Sequence, residues 1–166
     1  MDKNRPRRNR LFKDRRGTTD LVEFALILPL FLLLMFALID LGRYYWIRET
    51  VEAAIRLAGR YAVTGQSMSG MSRVNSVKRV AQNALGPLYS LNTTTITVSS
   101  SPVGQNPKGG TSGFAGYGGE NVTIEIDTRL GFFTPGIARY FGPNGSNTLV
   151  EIVTFRNESF PNSQAH

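Results

Sequence analysis

Residues 21–41 read LVEFALILPLFLLLMFALIDL. As a helix rising about 1.5 Å per residue, this stretch spans roughly 31 Å, the hydrocarbon thickness of a bilayer. From Phe24 to Ile39 it carries no charge and is apolar on every face. A chain of 166 residues offers too little interior to surround such a helix on all sides. The stretch therefore reads as a membrane span and not as a buried helix of a soluble domain. A cleaved secretory signal fits less well: the apolar core is too long, and Ile39-Asp40-Leu41-Gly42-Arg43-Tyr44 contains no small-x-small cleavage pattern.

The flanks orient the span. Residues 1–16, MDKNRPRRNRLFKDRR, hold eight of the 19 basic residues and two of the 12 acidic ones. The segment is thus +6, and the rest of the +7 chain is close to neutral at +1. A basic segment before a span stays in the cytoplasm. Tyr44, Tyr45 and Trp46 follow the span, where amphipathic rings favour the far interface. The expected organisation is a basic cytoplasmic leader (1–17), a transmembrane segment (18–46) and an extracytoplasmic part (47–166). Because the positive charge sits in one short tail, nucleic acid is not an expected partner.

Composition narrows the chemistry. There is no cysteine, which excludes disulfides and thiolate chemistry. The one histidine is His166, the last residue, so a histidine metal site or a Ser–His triad is not expected. No metal, cofactor or catalytic residue is assigned. Glu125 and Asp127 share one face of an alternating segment, as on a solvated surface, and no nucleophile–base spacing accompanies Glu120 or Glu151.

Three features interrupt the span. Glu23 lies in its first turn, Pro29 in its body and Asp40 near its end. Ionisable groups at such depth are costly and mark pairing. Asp40 is near enough to the outer interface to be solvated, and Arg43 stands at i,i+3 to it. Pro29 removes one helical hydrogen bond.

Arg15-Arg16-Gly17 followed by Val22-Glu23-Phe24-Ala25-Leu26-Ile27-Leu28-Pro29 resembles the start of a TadE-like pseudopilin of the Tad (Flp) branch of type IV pili. The resemblance continues through Ile39–Arg43, through Ala53–Ala62, and again at Thr154-Phe155-Arg156-Asn157-Glu158. It implies a minor pilin acting in assembly or at the tip of an adhesive pilus. It also implies a leader removed by a prepilin peptidase after Gly17, so that Thr18 becomes the new N-terminus, and Glu23, with Phe24 and Pro29 beside it, pairing subunits. Counting from Thr18 makes Glu23 the sixth mature residue, one beyond the family's usual fifth; cleavage after Thr18 would restore five. The implied partners are membrane lipid, other pilin subunits, Tad assembly-platform proteins and the peptidase. The implied location is the cytoplasmic membrane, with the domain outside, and then the assembled pilus. The competing reading is an uncleaved single-pass protein whose outer domain is a binding or accessory module.

Beyond the span, the fold class expected is α+β and pilin-like. The first helix continues to about Val63, with Val51, Ala54, Ile55, Ala58 and Ala62 on one narrow apolar face. Glu52 and Arg56 form an i,i+4 pair, and Thr64-Gly65 is a stop. A second helix runs over 72–85, with Met71, Val74, Val77, Ala81, Ala84 and Leu85 on one side and Gly86-Pro87 at its end. Strands are expected at 93–99, at 121–128 with Val122, Ile124 and Ile126 inward, and at 148–155 as a central strand. A short helix is expected at 135–141. The glycine-rich stretch 101–119 reads as a mobile loop carrying Phe114 and Tyr117; its glycines lack the strand-then-helix setting of a phosphate loop. Triplets at Asn92, Asn121, Asn144 and Asn157 fit the glycosylation pattern, and a bacterial pilin gives them no role.

Overall fold

Helix α1, Arg15–Val63, runs for 49 residues without interruption through Pro29, a length of about 73 Å. In this computed structural model, residues 15–90, 94–106, 110–134 and 148–161 are described. The expected helix at 135–141 and the leader before Arg15 lie outside them. The two halves of α1 meet different surroundings. From Leu21 to Ile39 its large side chains, the half-buried Leu32 aside, stand bare, with Leu26 75% and Leu30 69% exposed. From Ile47 onward a stripe of Val51, Ala54, Ile55, Ala58 and Ala62 is completely buried. The narrow apolar face thus packs within the chain, on its own domain.

Small residues on that stripe let the rest of the domain come close. Gly59 is the tightest point: a Cβ there would stand 2.2 Å from the Phe155 ring. The helix ends where Gly65, at φ +71, donates its N–H back to Ala62, and Thr64 Oγ1 bonds the Tyr61 carbonyl at 2.8 Å. A left-handed glycine stops a helix without the steric penalty a side chain would bring.

Helix α2, Arg73–Leu85, begins at the N-cap Ser72, whose hydroxyl accepts from Asn75 N. Val77, Ala81 and Leu85 are buried, whereas Met71 precedes the helix and stays 45% exposed. Gly86 closes it with an N–H to Gln82, and Pro87–Ser90 form the single turn α3.

Among the described residues the sheet has four antiparallel strands in the order β2-β1-β3-β4. Their ranges are β1 Thr94–Ser101, β2 Thr111–Ser112, β3 Asn121–Arg129 and β4 Thr148–Arg156. Val122, Ile124 and Ile126 turn inward with no exposure, beside Ile96 and Val98 of β1. The alternation of β3 therefore placed its faces correctly. The central position expected for β4 is not what forms. β4 lies at the sheet edge among the described residues, and β3 is the inner strand. Connections that join sequence neighbours leave the last strand outermost. The apolar character of β4 has another source: Leu149, Val153 and Phe155 face the core, while Val150 and Ile152 are half-buried on the other side.

Gly59 tests this packing directly. Gly→Ala in a helix interior ordinarily adds about 0.5–1 kcal/mol. Here Gly59→Ala should lower the urea midpoint of the detergent-solubilised protein, and Gly59→Val should cost about 1–3 kcal/mol. Gly42→Ala, which meets no atom within 4 Å, should leave the midpoint unchanged or raise it.

Candidate functional site

The N-terminal half of α1 presents an open, apolar surface with one acid on it. Thr19, Val22, Glu23 and Leu26 stand at three- and four-residue steps and line one shallow hollow on the helix. All four side chains are exposed. Gly17 and Thr18 lie in the first turn of α1, immediately before this face. Phe24 and Leu30 are bare on neighbouring faces, and Pro29 leaves the carbonyl one turn before it without its usual helical donor. The helix is long and apolar enough to cross a membrane, and none of its most apolar window is buried by the rest of the chain. That separates it from the core helix of a soluble domain, which its own fold would cover.

At the other end of the apolar run, Asp40 is not left to water. It is 1% exposed. Its Oδ1 accepts from Phe133 N at 2.9 Å and its Oδ2 from Thr134 N at 2.8 Å. Arg43 turns to the same loop instead of to Asp40: Nη1 donates to the Gly131 carbonyl at 3.1 Å, and the guanidinium lies 5.3 Å from the Phe133 ring centre. The two side chains that the sequence marked as interface residues thus hold residues 131–134 against α1. Tyr44 is half-buried against the core, while Tyr45 and Trp46 are exposed. Tyr44 and Tyr45 rings meet edge-on at 5.6 Å.

A second polar cluster ties the far end of the domain together. Arg73 is fully buried. Its guanidinium donates to the Gly116 carbonyl, to the Ala62 carbonyl at 2.7 Å and to Asn157 Oδ1 at 3.1 Å. Its charge centre also lies 4.5 Å from the Phe160 ring centre. Burial pulls the guanidinium below its ordinary value, yet an arginine so placed still carries its proton. The carbonyl of Ala62 belongs to the last turn of α1, the negative end of the helix dipole. The Asn157 amide completes the knot by donating to Ala115 and Tyr117 carbonyls at 2.9 and 3.0 Å. Glu158 N then bonds the Val63 carbonyl at 3.0 Å.

This knot corrects one sequence expectation. Within the expected loop 101–119, residues 111–117 are not free. Ala115 and Gly116 are buried, β2 pairs with β1, and Gly113 N bonds Val98 O at 2.9 Å. Phe114 and Tyr117 pack edge-on at 5.1 Å. Asn157, one of the four glycosylation-pattern residues, is 4% exposed with its amide engaged in the interior. The role of Arg73 was not read from the sequence. A signal was present: a cation in the first turn of a helix opposes the dipole, so it needs acceptors from elsewhere.

Comparison with known proteins bears on α1. Residues 20–60 match the family model of TadE-like protein. The TadE-like segment thus includes Glu23, Pro29, Asp40 and Arg43, and it ends within the helix stripe that the domain covers. No curated protein and no solved structure matches the chain.

Removing the Arg73 guanidinium strands three acceptors. Hydrogen bonds to a charged group contribute about 1.5–3 kcal/mol each. Arg73→Met should therefore cost at least about 3 kcal/mol in urea unfolding, and Asn157→Leu a comparable amount. The double variant should lose less than the sum, because both changes break one network.

Asp127 gives a pH test. It sits on the sheet face turned from the helices, between Thr95 and Val150 in register. Burial pushes its carboxyl above the ordinary aspartate value. The folded chain then holds this proton more readily than the unfolded one, so its contribution to stability grows as pH falls through the folded pKa. Asp127→Asn should raise the unfolding midpoint at pH 7 and show a smaller gain at pH 4.

Proposed function

We propose that this chain is a membrane-anchored minor pilin or pseudopilin of a Tad-type pilus, processed by a prepilin peptidase and acting in assembly or at the tip. The observation that carries this reading is the bare first half of α1. An apolar helix with an acid near its start, TadE-like over 20–60, is fused without a break to a small pilin-like α+β domain.

The chemistry follows from depth and charge. Cleavage after Gly17 exposes the α-amine of Thr18, which is cationic near neutral pH. Within one chain that amine stands five residues from Glu23, about 7.5 Å along the helix. A carboxylate just inside the hydrocarbon lacks a water partner and gains from a cation brought by a neighbouring helix. Side by side, two such helices are drawn to the axial offset that joins one chain's amine to the other's Glu23. Thr19, Val22 and Leu26 supply the surrounding contact, and the low dielectric makes a slipped register costly. The basic leader keeps the N-terminus in the cytoplasm and places residues from about 47 onward outside. Partners in this reading are lipid, other pilin subunits, the assembly platform and the peptidase.

Incubation of the membrane-inserted chain with a prepilin peptidase, followed by N-terminal sequencing, tests it. The expected product begins at Thr18; recovery of intact Met1 favours an uncleaved single-pass accessory protein instead. Glu23→Ala should insert normally but lose cross-linking to neighbouring pilin subunits, and Glu23→Asp should retain part of it.

A further inference from the structure

We propose that residues 131–134 dip into the lipid leaflet on the domain's side of the membrane, with Phe133 as the buried anchor. This rests on the reading of α1 as a span.

Depth is the first argument. The ring centres of Phe36 and Phe133 lie 6.4 Å apart. Phe36 precedes Leu41, the last residue of the apolar run, by five positions, about 7.5 Å along the helix. The loop after β3 therefore brings Phe133 level with hydrocarbon and not with headgroups. The aromatic belt at Tyr44–Trp46 lies further still toward the domain.

Exposure is the second. Phe133 is 63% exposed, and Phe132 is half-buried against the core. Phe133 and Thr134 join Pro29, Leu32, Leu33 and Phe36 around one open apolar hollow of about 240 Å³. Its walls are continuous with the bare surface of the span, so whatever solvates Leu33 and Phe36 also meets Phe133. For a helix of this depth that solvent is acyl chain.

The backbone is the third argument, and the most telling. Irregular chain at membrane depth is tolerated only where its polar groups are satisfied inside the protein. Here three of the loop's backbone groups are satisfied from α1: Asp40 takes the N–H groups of Phe133 and Thr134, and Arg43 takes the Gly131 carbonyl. An acid at the end of an apolar run, otherwise expensive, becomes the partner that lets the loop enter. Arg43 lies over the Phe133 ring, with its charge held by the loop's own Gly131 carbonyl.

The test uses full-length protein in phosphatidylcholine–phosphatidylglycerol vesicles. The chain has one tryptophan, Trp46, so Trp46→Phe with Phe133→Trp leaves a single reporter at the loop. The expected result is blue-shifted emission, quenched severalfold more by lipids brominated at acyl carbons 6 and 7 than by aqueous iodide. Quenching by iodide and not by brominated lipid would place the loop in water and overturn the proposal. Blue-shifted emission that neither agent quenches would show protein covering Phe133, a neighbouring copy included, and would overturn it equally. A parallel reporter, Trp46→Phe with Leu34→Trp, separates the two claims. If brominated lipid quenches Trp at 34 but not at 133, only the loop insertion fails; if it quenches neither, the span reading fails as well. Since the chain lacks cysteine, Phe133→Cys carrying an environment-sensitive label gives the same readout should the tryptophan variant misfold. Adding Asp40→Ala to either loop reporter should move it toward iodide accessibility, and an unchanged reporter would remove Asp40 from the mechanism.

Discussion

One unbroken helix has to serve two surroundings, and the architecture follows from that constraint. An α-helix keeps its backbone donors and acceptors paired internally wherever it goes, so it can pass from hydrocarbon to a protein interior without a structural break. Only its side chains change. Over 21–39 of α1 they are large, apolar and bare; over 47–62 they shrink to valine, isoleucine, alanine and glycine, and the domain closes on them. The sheet, α2 and the loop after β3 all attach to this second half or to its boundary. The domain thus holds a fixed rotation and height relative to the anchor.

Apolar burial supplies most of that attachment, at about 25 cal/mol per Å² removed from water. Burial is nondirectional, however, and would allow the sheet to slide along a stripe of small residues. Two polar contacts of one kind remove that freedom. In each, a charged side chain binds backbone of a distant segment: Asp40 holds 133 and 134, and Arg73 holds the end of α1 and the 115–117 turn. Neither ion pairs with an opposite charge among the described residues; each is neutralised by dipoles that have fixed positions. The first contact sets the domain against the membrane end of α1, and the second locks the far end.

The TadE-like match covers the helix and stops near residue 60, which is physically reasonable. A helix that is apolar and uncovered in its first half and small-sided under the domain in its second has few permitted sequences. The sheet beyond it needs only a face of suitable volume toward α1, and many sequences satisfy that. In the proposed reading, assembly chemistry concentrates at the start of the chain.

Much of this was legible in the residues themselves. Sixteen uncharged positions from Phe24 to Ile39 read as an apolar helix long enough to cross a membrane. The spacing of Val51, Ala54, Ile55, Ala58 and Ala62 gave the covered stripe, and the alternation of β3 gave its faces, because side-chain periodicity is local. Strand order, the partner of Asp40 and the knot around Arg73 were decided only in three dimensions. The last two join residues more than 40 positions apart in the chain, and the strand pairs join residues 11 to 35 apart. Carbonyls and amides are the same in every residue, so a sequence records which side chains need partners but not which stretch of backbone will supply them.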